Sequence, residues 1–437
     1  MHLPFTPHHV QLISACYPPS AALITSGPDY RPNAQELSRL TYYAANTPGK
    51  IHKLGSELEK RIRGECRKAQ GGNSRSRASL LISLSVLRTL ATECRRDISL
   101  LTPSLLATVD LTLDGLSSDL EVSAKVASLF TAWTTHTDGR LIGVDNDITK
   151  DYMSILNRFS HMSTFSSTNS DKEFQNRTRL VGLAALSGAV TSEALYSSTY
   201  FQSQVSTIVP ALLANVHDLE VSVLESELIA LKENPNSPYM AQFRSRPPAE
   251  RRAASIHIHI DGDKGPSTAD VSQTCLRALS SLFGHSNGSQ ATHIMEAVLE
   301  SLDRWQSWER IDHCRWITRQ ATDWTQYQYR YAIPTRLVER LQQDQDVPMT
   351  TPLHNALAVM LTTIFTSPTP LINLSTSDII SILVTLVLRR CSIDPEDPVL
   401  PALVECIASV GTHVYYSDQI YDLASELVSR LVSVEAT

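Results

Sequence analysis

Residues 48–68 read PGKIHKLGSELEKRIRGECRK. Pro48 and Gly49 suit a helix start, and Gly71-Gly72 suits a stop. At about 100° per residue, Ile51, Leu54, Leu58 and Ile62 fall within an arc of roughly 80°. Lys50, Lys53, Lys60, Arg61, Arg63, Arg67 and Lys68 spread over roughly 160° on the other side. Glu57 intrudes on that cationic arc, whereas Glu59 and Glu65 lie outside it. A helix with one narrow apolar stripe needs a neighbour to cover it.

The same three- and four-residue apolar spacing recurs along the chain. It predicts helices near 34–46, 49–69, 77–95, 98–114, 118–134, 147–163, 173–191, 197–215 and 218–232. They resume near 267–284, 289–304, 307–322, 327–343, 350–366, 374–389, 398–413 and 416–432. Two such helices with their turns make a unit of roughly 35–45 residues, the size of armadillo and HEAT units, which bury their stripes by stacking. The expected fold is therefore all-α, an armadillo/HEAT-like helical-repeat solenoid wound as a right-handed superhelical rod. A compact bundle is the rival, but seventeen helices are too many for one layered core.

Composition agrees. The 437 residues are 42% apolar and 19% charged, enough for a large core, and Gly (16) is scarcer than Pro (22), against a turn-rich barrel or sandwich. No stretch has the length of a membrane span or the form of a signal peptide, so a cytosolic chain is expected. Cys16, Cys66, Cys94, Cys275, Cys314, Cys391 and Cys406 include no CxxC pair and suit reduced thiols. Four regions are expected: an extended N-terminal segment 1–33, a helical half 34–232, a Pro-rich loop 233–266, and a second helical half 267–437.

Sites for chemistry are weak. Gly284-His285-Ser286-Asn287-Gly288 fits GxSxG, but a helix precedes it and no sheet is available to hold a nucleophile elbow. His257, His259, Asp261 and Asp263 follow at alternating spacing in the long loop, and a local extended segment explains them better than a metal site. His2, His8 and His9 lack a carboxylate or cysteine pair beside them, so a flexible terminus is expected there. Asp145-Asn146-Asp147 lacks the Gly and Glu of a calcium loop and suits a helix cap. Trp305, Trp308, Trp316 and Trp324, with Tyr327, Tyr329 and Tyr331, read as core between repeats rather than a ligand box. No catalytic residue, metal or cofactor is expected.

Charge supplies the functional signal. Residues 1–100 hold 14 Lys or Arg against 7 Asp or Glu, a net of +7, while the remainder carries −14. Arg75 and Arg77 extend the cationic stretch, and residues 48–77 carry +6. Such a surface suits anionic lipid headgroups. Nucleic acid would meet the same electrostatics, but no aromatic residue lies between 44 and 129 to stack bases.

Several segments resemble the rolling-blackout family, the plasma-membrane scaffold of the type III alpha phosphatidylinositol 4-kinase complex, most closely its fungal branch. They are Phe5-Thr6-Pro7 with Cys16-Tyr17-Pro18, residues 40–44 with Lys50-Ile51 and 54–58, YMSILNRFSHM (152–162), RLVGLAALSGAV (179–190) and IVPALLANV (208–216). Cys275-Leu276-Arg277 and 302–308 continue the series, which covers roughly 5–343. The resemblance implies a non-catalytic helical-repeat scaffold on the cytoplasmic face of the plasma membrane. It implies that Lys50, Lys53, Lys60, Arg61, Arg63, Arg67 and Lys68 face anionic lipid, and that Cys16 is the cysteine available for lipidation. It also implies partnership with a tetratricopeptide adaptor subunit and the kinase, through a tail beyond residue 437. A soluble adaptor that binds peptides, and a lipid hydrolase using Ser286, are the competing readings.

Overall fold

The computed structural model describes residues 6–19, 22–25, 30–167, 170–234, 239–243, 265–343, 349–413 and 417–435. Its helices are α1 (His8–Ala15), α2 (Ala22–Thr25), α3 (Ala34–Asn46), α4 (Ile51–Gln70), α5 (Ser74–Glu93), α6 (Ile98–Leu116), α7 (Leu120–His136), α8 (Asn146–Ser163), α9 (Lys172–Val190), α10 (Glu193–Tyr196) and α11 (Phe201–Leu213). They continue as α12 (Val221–Glu233), α13 (Thr268–His285), α14 (Gly288–Arg304), α15 (Ile311–Trp324), α16 (Ala332–Gln343), α17 (Pro352–Phe365), α18 (Thr376–Ile393), α19 (Leu400–Val410) and α20 (Ser417–Glu435). Among the described residues the sole β feature is an isolated bridge between Ile142 and Asp145. The all-α helical-repeat class expected from the spacing is the class observed.

Two compact units are present, Met1–Asp218 with Ser226–Ala278, and Leu219–Glu225 with Leu279–Thr437. In the first unit α4, α6, α8 and α11 pack in sequence as one layer, and α5, α7 and α9 as another. Side chains register these layers at near-constant offsets. Cys66 Sγ lies 3.6 Å from Thr112 Oγ1, 46 residues on. Ser154 Oγ donates to Asp110 44 residues back, and Ser160 Oγ to the Thr207 carbonyl 47 residues on. An offset that recurs along parallel helices is what stacked helical pairs produce. Between the layers lies an aromatic cluster, Phe130 with Trp133, Tyr152 and Phe159, at centroid distances of 5.8, 6.1 and 5.5 Å. Trp133 Nε1 donates to Thr102 Oγ1 at 2.9 Å, so its polar atom is satisfied inside the core.

In the second unit α14, α16, α18 and α20 stack as one layer and α15, α17 and α19 as the other. Arg336 reaches Glu296 40 residues back, and Arg340 reaches Asp303 37 back.

The structure departs from the sequence expectation in three places. The opening residues, expected to be extended, contain α1, because burying Leu12, Ile13 and Cys16 holds eight residues helical that would not stay so alone. The helix expected over 197–215 begins later, as α11 at Phe201, after an unexpected four-residue α10 and a turn in which Tyr200 N–H bonds Ser198 Oγ at 3.0 Å. The division into units falls within α13, not at the Pro-rich stretch, because packing between helix faces rather than loop composition sets such a border. His257, His259, Asp261 and Asp263 lie outside the described residues, as does His2.

Candidate membrane-facing helix

Helix α4 has a sharply divided surface. Ile51, Leu54, Gly55, Leu58, Ile62, Glu65 and Cys66 are buried. At Gly55 a Cβ would stand 3.0 Å from Leu101 Cδ1 and 3.2 Å from Ser104 Cβ, so glycine permits the close approach of α6. The buried residues span about 120° on a helical wheel. Directly opposite their midpoint stands Lys60, with Lys53 and Arg67 within about 20° on either side. These three recur every seventh residue, about 10.5 Å apart along the axis. All three are exposed, as are Lys50, Lys68 and Arg75. None of these six makes an ion pair among the described residues.

The seven cations expected to face lipid are therefore not equivalent. Arg63 is exposed, but its Nη2 bonds Glu59 Oε1 at 3.0 Å. Arg61 departs further: its guanidinium lies 3.5 Å over the Tyr17 ring, and its Nε bonds Glu65 Oε1 at 2.9 Å. Glu65 is buried and also accepts from Ser79 Oγ and Ser83 Oγ, each at 2.5 Å, while Tyr17 OH and Ser83 Oγ are 2.7 Å apart. Arg61 thus clasps the segment after α1 to α4 and α5, and it does not stand with the outward set. Arg77 is likewise engaged, with Asp119 at 2.5 Å and Glu121 at 2.8 Å. The Asp119 hydrogen bonds hold its guanidinium still more firmly protonated, against the opposing effect of burial.

Cys16 is fully buried, and its Sγ lies 3.4 Å from the Leu12 carbonyl. Burial, with Glu36 nearby, pushes its thiol up to about 11. A buried, protonated thiol is a poor nucleophile and a poor acyl acceptor. The residue proposed for lipidation is inaccessible in this fold.

The other candidate motifs resolve into structure. Ser286 is buried, and its Oγ donates to the Leu282 carbonyl at 2.6 Å, while Asn287 and Gln290 cap α14 reciprocally. Asp145 caps α8 by accepting from Asp147 N–H and Ile148 N–H. Trp308 and Trp316 are buried and Trp324 packs on Phe283 and Trp316, whereas Tyr327 is half exposed. No group of three or more metal-binding side chains gathers among the described residues, and none of their helices is long and apolar enough to cross a membrane.

Stacked helical pairs packed in two layers define an armadillo-type repeat protein. The model of the family described as EFR3, armadillo repeat, matches residues 37–392. The chain belongs to the EFR3 family, in agreement with the resemblance its segments carry. It is 45% identical over 440 residues to Protein EFR3 of Cryptococcus neoformans var. neoformans serotype D, covering 97% of this chain and 43% of that protein. It is 35% identical to Protein EFR3 of Mycosarcoma maydis, covering 98% and 44%. The chain therefore spans less than half the length of these relatives. A crystal structure of Efr3 shares the fold, with a TM-score of 0.66 over 98% of this chain and 68% of the other, at 16% identity.

Proposed function

We propose that this chain is a non-catalytic peripheral membrane scaffold. The outward face of α4 docks on the anionic lipids of the inner plasma membrane. The helical-repeat body holds a phosphatidylinositol 4-kinase complex there and so supports phosphatidylinositol 4-phosphate synthesis. The observation that carries the reading is the row Lys53, Lys60 and Arg67, exposed and without carboxylate partners among the described residues, flanked by Lys50 and Lys68. At about 1 kcal/mol for each cation at an anionic surface, these five supply roughly 5 kcal/mol. That is enough for reversible attachment. The burial of Ser286, the one side chain in a nucleophile-like motif, supports a scaffold rather than a hydrolase. Partnership with the tetratricopeptide adaptor subunit and the kinase follows from the family resemblance.

The test is co-sedimentation with vesicles rich in phosphatidylserine and phosphatidylinositol 4-phosphate, against neutral phosphatidylcholine vesicles. Binding should be confined to the anionic vesicles. It should fall steeply as salt rises from about 0.1 M, where the Debye length is ~10 Å, to about 1 M, where it is ~3 Å. A chain that ignores anionic vesicles at the lower salt would instead be a soluble adaptor.

A further inference from the structure

Helices α5 and α7 bring charged side chains together at two levels of the first unit. At their first turns the charges are opposite, with Arg77 joining Asp119 and Glu121. Farther along they are alike: Arg88 of α5 and Lys125 of α7 line one cavity of about 370 Å3. Arg31, in the approach to α3, adds a third cation. That approach is fixed by the Asn33 N–H, which bonds the Cys16 carbonyl at 2.8 Å. Glu93 is the one carboxylate among the described lining residues, so three cations against one anion leave a formal net of +2.

Each of the three cations also interacts within the chain. Their gathering is still costly, because like charges that share one cavity repel, and the apolar Leu37 and Leu84 in its wall screen them poorly. Burial lowers the pKa of Arg88, the sign of a guanidinium stripped of part of its water. A phosphomonoester, with about −1.5 to −2 charges at pH 7, matches the net charge of the wall. Arginine and lysine are also the side chains that give phosphate its strongest hydrogen bonds.

The rest of the wall selects what carries the phosphate. Ser85, Thr89 and Thr92 line the same cavity. Each donates its hydroxyl proton to a carbonyl of its own helix, at 2.8, 3.0 and 3.0 Å. Their lone pairs remain, so they offer acceptors and no further donors. Such a row suits a ligand whose own hydroxyls donate. We propose that this cavity binds a phosphorylated polyol, with its phosphate on Arg31, Arg88 and Lys125 and its ring hydroxyls donating to Ser85, Thr89 and Thr92. Two sources present that chemistry, a soluble inositol phosphate and the headgroup of a phosphoinositide. The inference does not depend on membrane docking by α4.

The experiment is calorimetric titration of the whole chain with inositol 1,4-bisphosphate, compared with inorganic phosphate and with uncharged inositol. The bisphosphate should bind, inorganic phosphate should bind more weakly, and inositol should give no signal. Arg88→Gln and Lys125→Gln should each weaken the bisphosphate at least about tenfold, since each removes a charged hydrogen-bond donor. Circular dichroism reports whether each variant folds, and the exposed Arg31→Gln replaces Arg88→Gln, with the same expectation, if that variant does not. No binding by the unaltered chain, or full binding by the folded variants, would overturn the proposal. Equal affinity for inorganic phosphate would overturn the polyol assignment. For the source, the chain with Lys53, Lys60 and Arg67 changed to Glu is floated with phosphatidylcholine vesicles carrying phosphatidylinositol 4-phosphate. Capture that is lost on adding Arg88→Gln assigns the lipid headgroup. No capture, with the bisphosphate still bound in solution, assigns the soluble source.

Discussion

The cationic side chains of α4 and those of α16 and α18 are the same residue types in opposite circumstances. In α16, Arg336 bonds Glu296 at 3.0 Å and Glu339 at 3.3 Å, and Arg340 bonds Asp303 at 3.0 Å. In α18, Arg390 has 3% of its side chain exposed; its Nη2 lies 2.8 Å from His354 Nε2, and Nη1 lies 3.6 Å from Asp397. These arginines fasten neighbouring helical pairs. On α4, Lys53, Lys60 and Arg67 make no ion pair among the described residues. Like charges in a row repel, so such a stripe gives the fold no internal stabilisation, in keeping with the docking on an anionic surface proposed above. Lysine, a flexible and well-hydrated point charge, suits a fluid headgroup surface, whereas arginine's planar fork suits fixed carboxylates.

The contrast breaks most visibly at Arg390. Its replacement by Met leaves Asp397 buried, although Thr350 Oγ1 and Val399 N–H still bond that carboxylate. Removing one partner of a buried ion pair costs about 3–5 kcal/mol. Chemical denaturation should show a loss of that order, with attachment to anionic vesicles unchanged. The reverse pattern is expected at α4. Changing Lys53, Lys60 and Arg67 together to Glu removes about 3 kcal/mol of attraction before any repulsion is counted, a fall of more than about a hundredfold in vesicle affinity. The denaturation midpoint should hold nearly constant, because exposed substitutions typically change stability by less than ~0.5 kcal/mol. A triple variant that binds vesicles normally would remove the distinction between the two regions.

Arg61 tests the boundary between the two circumstances. On a wheel it sits beside the buried edge of α4, and Glu65 follows at i+4, a spacing at which helical side chains meet. That i+4 spacing, like Glu59 with Arg63, stands in the sequence, but the sequence reading turns both arginines toward lipid and draws neither pair from it. The clasp to Tyr17 was not legible there, because it depends on α1 folding back over α4 and on Ser79 and Ser83 arriving from α5. Likewise Arg77 finds its partners 42 and 44 residues away, at a distance no local pattern reports. The long helices were legible because each carries its apolar stripe within its own residues. Helix α1, eight residues long, was not, since its helicity rests on tertiary burial. Arg61→Ala should therefore behave like a mild version of the fastening arginines. Its side chain is about a third exposed, so solvent screens the pair, and a loss of about 1 kcal/mol is expected. Vesicle affinity should change less than about twofold, since the side chain is not among the outward set.

The smallest effect concerns two histidines whose pKa is lowered, the buried His413 and the partly buried His136. Burial lowers the pKa of His413, outweighing the bond between its Nε2 and the Phe365 carbonyl at 2.9 Å. Burial, reinforced by the positive charge of Arg95, lowers that of His136. A depressed histidine stays neutral in the folded chain while its unfolded counterpart, with a pKa of about 6.5, takes a proton. As pH drops below about 6.5 the unfolded state binds more protons, so stability declines, and the decline ends once the folded histidine also titrates. Denaturation midpoints should therefore fall modestly between about pH 7 and about pH 5.5, before carboxylates titrate. Replacing both histidines with Gln should flatten that slope while leaving attachment to anionic vesicles as it was. A slope that survives the double replacement would assign the titration to other groups and would leave the two histidines as packing residues alone.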